Sequence, residues 1–344
     1  MEGSISLEIS DESSTPKYKQ IVFSVINKIE TGHIKYGQKL PSINKLSFDY
    51  YLARDTVEKA YNELKDRGVI ESVKGKGYYV RNSTPTSKVN VLILFNKLSA
   101  YKKEIFNAIS RELEGKANID FFVYHYDYET FERILTEHLK GYSYYVIMPH
   151  FTDFEPFDLN KLLKMIPKEK IILLDNQIEG VDHYGSIIYQ DFKLDIYDAM
   201  VEASEFLNKY DKLVMVFPEN GDYPYPKEIV VGFRRYCGFN NKKHEILNEL
   251  NEHHEIKANS AYILIEESDL VALIKLQRSS GLSLGKDIGI LSYNDTLLKE
   301  VLAEGISVIT TDFVKMGSLA AKCITSNEAV ECKNDFRFIQ RNSL

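Results

Sequence analysis

Between Pro16 and Thr31 the apolar positions Ile21, Val22, Val25, Ile26 and Ile29 recur three and four residues apart, the spacing of one helix face. Thr15 is placed to cap this helix, Pro16 suits its first turn, and Thr31-Gly32 ends it. A short second helix opens at Leu40-Pro41-Ser42 with Leu46 inward. After a tight turn around Tyr51-Leu52, a third helix puts Val57, Ala60, Tyr61 and Leu64 on one face. Arg54, Asp55, Thr56, Glu58 and Lys59 are left facing out. Two short helices joined by a tight turn, the second polar on its outer face, form the pattern of a helix-turn-helix. Arg67-Gly68-Val69-Ile70 then closes the third helix and starts a strand. Lys74-Gly75-Lys76-Gly77 turns back into Tyr78-Tyr79-Val80, a glycine-permitted hairpin whose tip lysines could reach a phosphate.

Residues 82–88, NSTPTSK, form a short polar linker with one proline. Beyond it the period changes. Apolar runs at 89–95, 119–126, 144–148, 171–174, 213–217, 261–265, 288–291 and 307–310 alternate with amphipathic segments of helical length. This predicts an α/β fold with parallel sheets and helices on both faces. The expected division is a winged helix-turn-helix at 1–81, the linker at 82–88 and a larger domain at 89–344. Ligands of open parallel sheets bind outside the carboxyl ends of the strands. The residues found there are Asn96, with Tyr101 on the next helix, His150 and Phe151, Asp175, Glu266 with Asp269, and Asn294 with Asp295. Carboxylates and amides pair with vicinal hydroxyls, and aromatic faces cover the C–H face of a sugar ring, so together these positions suit a hydroxyl-rich ligand. Singly, Asp175, Asp269 and Asp295 read equally well as helix caps.

Charge sharpens the picture. The 344-residue chain carries a net −7, but residues 17–81 hold 13 Lys/Arg against 7 Asp/Glu while residues 82–344 hold 30 against 39. A basic small unit on an acidic large one places the nucleic-acid partner at the N-terminal end. Cys237, Cys323 and Cys332 show no C-x-x-C spacing, and their odd number argues against a complete disulfide framework. The opening MEGSISLEIS has no basic-then-apolar leader, and no run approaches the roughly 18 apolar residues of a membrane span, so a cytoplasmic protein is expected. Of catalytic motifs, the P-loop and H-E-x-x-H are missing, and His253-His254 lie in a polar stretch without further ligands, so no enzyme, cofactor or metal is expected.

Leu40-Pro41-Ser42, Arg54-x-Thr56-Val57, Leu64-x-x-x-Gly68-Val69-Ile70 and Gly75-Lys76-Gly77-Tyr78-Tyr79-Val80 resemble, in order and spacing, the winged-helix signature of GntR-type bacterial regulators. The resemblance implies that Ser42 and Arg54 contact phosphate or base edges, that Thr56 assists at the start of the recognition helix, and that Gly75 and Lys76 make the wing contact. Asp55, Lys59 and Lys74 complete the expected DNA face. Ala53 replaces the usual capping serine, Lys45 the capping-box carboxylate, and Asn44 stands where an arginine often meets phosphate.

Residues 88–340 resemble the two-lobed periplasmic-binding-protein fold that serves lac-repressor-type regulators as an effector domain. The resemblance rests on Gly232-Phe233-Arg234, on Ser268-Asp269-Leu270-Val271-Ala272, on the stretch from Gly285 to Asp295, and on Ile309-Thr310-Thr311-(x)4-Met316-Gly317-x-x-Ala320-Ala321. It implies a homodimer on a two-fold operator, with an effector between the lobes contacted by Asn294 or Asp295 and the Asp269 region. The arginine the family commonly places three residues before the glycine is here Ile229, with Arg234 or Arg235 available in its stead. The expected function is therefore a transcriptional regulator, a repressor, of a sugar-utilisation operon, controlled by a monosaccharide or sugar phosphate. An amino acid or nucleobase is the alternative effector. A pyridoxal-phosphate aminotransferase-like domain, which some GntR-type winged helices precede, is the remote alternative, since it needs more chain than follows residue 81.

Overall fold

In the computed structural model, which describes residues 6–10, 15–81, 88–152, 155–219, 223–251 and 253–344, the apolar stripe of α1 (Lys17–Glu30) is buried along Ile21, Val22, Val25 and Ile26. Its N-cap is Pro16, and no side chain caps it. Thr15, expected as the cap, sends its hydroxyl to Glu137 at 2.7 Å instead. Ser42 does cap α2 (Ile43–Asp49), accepting from the Lys45 N–H at 3.1 Å. Ala53 precedes α3 (Arg54–Asp66) without a side-chain cap. The wing is an antiparallel hairpin of β1 (Ile70–Val73) and β2 (Gly77–Val80), with Ile70 opposite Val80. Leu46, Val57, Tyr61, Leu64, Ile70 and Val80 close a single core with α1.

The elements that follow are β3 (Val89–Phe95), α4 (Ala100–Glu112), β4 (Ala117–Val123), α5 (Tyr128–Glu137), β5 (Tyr144–Ile147), α6 (Pro156–Leu163), β6 (Ile171–Asp175), β7 (Ser186–Tyr189), α7 (Phe192–Glu202) and α8 (Ser204–Leu207). After them come β8 (Lys212–Val216), α9 (Glu228–Phe239), β9 (Lys243–Leu247), β10 (Ser260–Leu264), α10 (Glu267–Ser280), β11 (Ile288–Tyr293), α11 (Leu297–Val301), β12 (Ser307–Thr311), α12 (Phe313–Ser326), β13 (Glu331–Lys333) and β14 (Phe336–Ile339). The chain gathers into two compact units, residues 1–94, 113–122 and 129–145 in one, and 95–112, 123–128 and 146–344 in the other. Of the expected linker, 82–87 lie outside the described residues.

In the first unit the helix-turn-helix rests on β4 and the end of α5. Arg67 and Lys19 both reach Asp120, the Arg67 contact at 2.7 Å, and the Tyr142 hydroxyl donates to the same carboxylate at 2.9 Å. Phe23 meets His138 edge to face, with ring centroids 4.8 Å apart.

In the second unit one sheet runs β14-β12-β11-β10-β8-β9. Alternate side chains of β8 face opposite ways: Leu213 and Met215 pack with Ile196 and Phe233 of α7 and α9, while Val214 and Val216 pack with Leu270 and Leu273 of α10. Each such burial stabilises by about 1.5–3 kcal/mol. Close approach between α7 and α9 requires Gly232, because a Cβ there would lie 2.2 Å from Ile196 Cγ2. The other sheet has the order β13-β7-β6-β5-β3-β4. The predicted strands are all present, but the sheets are not wholly parallel, since β14 pairs antiparallel with β12. Four strands, β7, β9, β13 and β14, have no counterpart in the apolar runs. The edge strand β9 reads Lys-His-Glu-Ile-Leu with its first three residues exposed, a polar edge that discourages pairing with other chains.

Candidate DNA-binding face and effector cleft

On the winged helix, Ser42, Asn44, Arg54, Asp55 and Lys59 are exposed and Thr56 is half-buried at the start of α3. Arg54 pairs with Glu58 at 3.0 Å on the same exposed helix face, a contact its guanidinium can exchange for a phosphate. Lys59 lies over the Tyr18 ring, 3.9 Å from its centroid. Lys74, Gly75 and Lys76 are exposed at the wing tip. Gly75 has φ +74 with open space around it, the conformation that lets the hairpin turn without a side chain.

In the second unit Asn96, Tyr101, His150, Asp175 and Asn294 converge on one cavity with Lys97, Lys102, Tyr126, Gln190, Tyr223 and Tyr225. Its volume is about 60 Å3. Two larger hollows share walls with it: one of about 390 Å3 that includes Phe151 and Gln190, and one of about 270 Å3 that includes Glu266, Tyr293 and Thr296. Tyr126, Asp175 and Asn294 carry positive φ angles of 64°, 75° and 61°. Asp and Asn enter this region readily, whereas for Tyr126 the conformation is strained.

Polar groups in this cavity form a chain. Asp175 accepts from His150 Nε2 at 2.7 Å and from the Gln190 amide. Burial would raise the Asp175 carboxyl, but the hydrogen bond from His150 and the nearby Lys102 ammonium bring it below its ordinary value, so it is ionised. Burial holds His150 below the usual histidine range despite Asp175, making it a neutral ring that donates through Nε2. Lys102 is fully buried, donates to Asn96 Oδ1 at 2.5 Å and is pushed down to about 8 by desolvation. The aromatic wall is equally ordered. Tyr101 stacks on Phe313 at 4.9 Å, and the Lys97 ammonium sits 3.5 Å from the Tyr223 ring centroid.

Among the described residues, four buried polar atoms along these walls have no hydrogen-bond partner: Gln190 Oε1, Tyr293 Oη, Asn294 Oδ1 and Thr296 Oγ1. Leaving such a group unpaired costs about 1–3 kcal/mol, which a ligand donor would recover.

Three expected effector residues lie elsewhere. Arg234 is exposed on α9. Asp269 is buried at the start of α10 and accepts from the Leu250 N–H at 2.9 Å. Asp295 forks with Arg341 at 2.9 and 2.7 Å. Lys102 and Gln190, in contrast, line the cavity without having been singled out. Lys102 lies in the first turn of α4 beside a second lysine, and Gln190 follows β7, a four-residue strand too short to register as an apolar run.

The chain thus combines a helix-turn-helix and a basic wing with two sheets and a polar cavity at strand ends. Residues 17–80 match the model of the bacterial regulatory proteins of the gntR family, and this segment is a GntR-type helix-turn-helix. Relatives include the transcriptional repressor YtrA of Bacillus subtilis, 37% identical over 83 residues, 24% of this chain and 64% of that protein. Another is the arabinose metabolism transcriptional repressor of Geobacillus stearothermophilus, 29% identical over 79 residues, 23% of this chain and 22% of that protein. The chain thus spans less than two thirds of these curated relatives. For the body, a dimeric lac repressor aligns with a TM-score of 0.59 at 15% identity, over 74% of this chain and 98% of that one. A LacI-family regulator from Lactobacillus casei with bound glucose aligns with a TM-score of 0.58 at 14% identity, over 74% and 99%. The fold of the body is that of the lac-repressor effector domains, a two-lobed periplasmic-binding-protein-like α/β fold.

Proposed function

We propose that the protein is a transcriptional repressor of a sugar-utilisation operon: a DNA-binding domain at 1–81, a linker at 82–88, and an effector domain at 89–344 that takes a monosaccharide or sugar phosphate. The observation that carries the effector reading is the set of four unpaired acceptor and hydroxyl atoms beside stacked tyrosines in one cleft. Such walls suit a ligand rich in O–H donors with an apolar ring face. Asn96, Tyr101, His150, Asp175 and Asn294 are the proposed contacts, with Phe151 and Glu266 at the flanks. The relatives named for arabinose metabolism and solved with glucose point the same way.

At the other end, Ser42, Asn44, Arg54, Asp55, Thr56 and Lys59 would meet the major groove, and Lys74, Gly75 and Lys76 the backbone beside it. The protein would act in the cytoplasm as a homodimer on a two-fold operator, its ligand favouring one lobe arrangement over another and so altering head spacing. To test this, duplexes selected from a random pool by the wild-type protein are titrated with wild type and with Arg54→Glu and Lys76→Glu. Both variants should lose DNA binding while keeping the wild-type circular dichroism. Selection of no sequence, or wild-type affinity in both variants, would sink the reading.

A further inference from the structure

Ile229 lines the cavity as a fully buried apolar side chain of the α7–α9 core and brings no charge to it. The cavity therefore needs a cation from elsewhere if it reads a ligand oxygen by charge. Lys102 is 4% exposed and lines the cavity, and the hydrogen bond its ammonium gives to Asn96 uses one of its three N–H groups. Gln190, 7% exposed on the same cavity, gives its amide N–H to Asp175, and its buried Oε1 has no partner among the described residues. One residue thus offers buried donors and the other a buried acceptor.

We propose that Lys102 and Gln190 are the specificity-determining pair of this cleft, Lys102 donating to one oxygen of the ligand and Gln190 Oε1 accepting from a hydroxyl, and that they select an uncharged polyol over its phosphate. This rests on the sugar-effector reading above and decides between its two branches. The selection follows from charge. Across the cavity and the hollow beside it, the lining lysines Lys97, Lys102 and Lys299 are matched by the lining carboxylates Asp175, Glu266 and Glu267. Each cation already has a carboxylate counterpart, so a phosphate would enter with no cation left to balance it and would pay the desolvation of its own charge. A hydroxyl pair brings one donor and one acceptor and leaves the balance intact.

The experiment is isothermal titration of the full-length protein with a panel of neutral aldopentoses and aldohexoses and their phosphates, repeated with Lys102→Met and Gln190→Ala. At least one neutral sugar should bind wild type more than tenfold tighter than its phosphate, and each variant should weaken that sugar at least tenfold. Gln190→Ala removes no charge and keeps the test alive if Lys102→Met fails to fold. A sugar that binds wild type and both variants alike, or a phosphate that binds better than its parent sugar, overturns the pair while leaving the sugar reading standing. Binding of no panel member, with a response instead to an amino acid or nucleobase, overturns both.

Discussion

Removing Asp120 should loosen the helix-turn-helix from the strand that supports it. The carboxylate receives the Arg67 guanidinium at 2.7 Å, the Lys19 ammonium and the Tyr142 hydroxyl at 2.9 Å. The Arg67 side chain is only 3% exposed, so truncating its partner leaves a charge that water cannot reach. Glu63 still holds Arg67 at 2.5 Å and Lys19 at 3.0 Å, which limits the damage. Breaking a buried pair from one side costs about 3–5 kcal/mol, and the surviving Glu63 puts Asp120→Ala at the lower end, about 3 kcal/mol. Asp120→Asn keeps a neutral acceptor and should cost about 2 kcal/mol, the scale of a hydrogen bond to a charged group. Burial raises the Asp120 carboxyl, but Arg67 and Lys19 together bring it below the ordinary aspartate value. Its contribution is therefore complete above the unfolded value near pH 4 and disappears as pH falls through the lower folded value. Urea unfolding followed by tyrosine fluorescence, at pH 7 and at pH 3, measures both the gap and its closure. A gap under about 0.5 kcal/mol at pH 7, or one that is undiminished at pH 3, would refute the reasoning.

Lys102 should give the same direction of pH dependence, but on the alkaline side. With its folded value at about 8 and an unfolded value near 10.4, the native state loses its proton first, so wild-type stability rises between about pH 8 and 10, by ~3 kcal/mol at most, and Lys102→Met lacks that component. Lys299, also pushed down to about 8, contributes equally to both proteins and cancels in the comparison. Gly317→Ala should destabilise by about 1–3 kcal/mol in thermal unfolding, because a Cβ there would lie 2.5 Å from the Ile105 carbonyl of α4. DNA affinity of the wild type should fall steeply between 50 and 200 mM salt, with a smaller logarithmic slope in Lys76→Ala, which displaces one counterion fewer; equal slopes would place the wing off the backbone.

The head was almost wholly legible in the sequence because each of its signals is local: helical spacing from Ile21 to Ile29, the Ser42 cap, and the glycine hairpin around Gly75. Thr15 misled because its hydroxyl has a partner 122 positions away, which outcompetes its own helix end. The body's buried strands announced themselves as apolar runs, whereas β9 and β14 lie at sheet edges, where one side is solvent or antiparallel and the apolar run dissolves. Of the ten positions expected at the cleft, five line the central cavity. Asp269 and Asp295 sit at equivalent strand ends, but each is taken by a tertiary partner, Leu250 and Arg341, that spacing cannot foretell. Lys102 was hidden for a related reason: only the packing of α4 distinguishes it from its exposed neighbour Lys103.

The central claim, that occupancy of the cleft controls the head, is tested most directly by the dissociation constant of the selected duplex measured by fluorescence anisotropy with and without the neutral sugar that binds the cleft. Saturating sugar should raise it at least tenfold, a coupling of about 1.4 kcal/mol, and the effect should vanish in Gln190→Ala at the same sugar concentration. An unchanged dissociation constant with the cleft fully occupied would contradict the account.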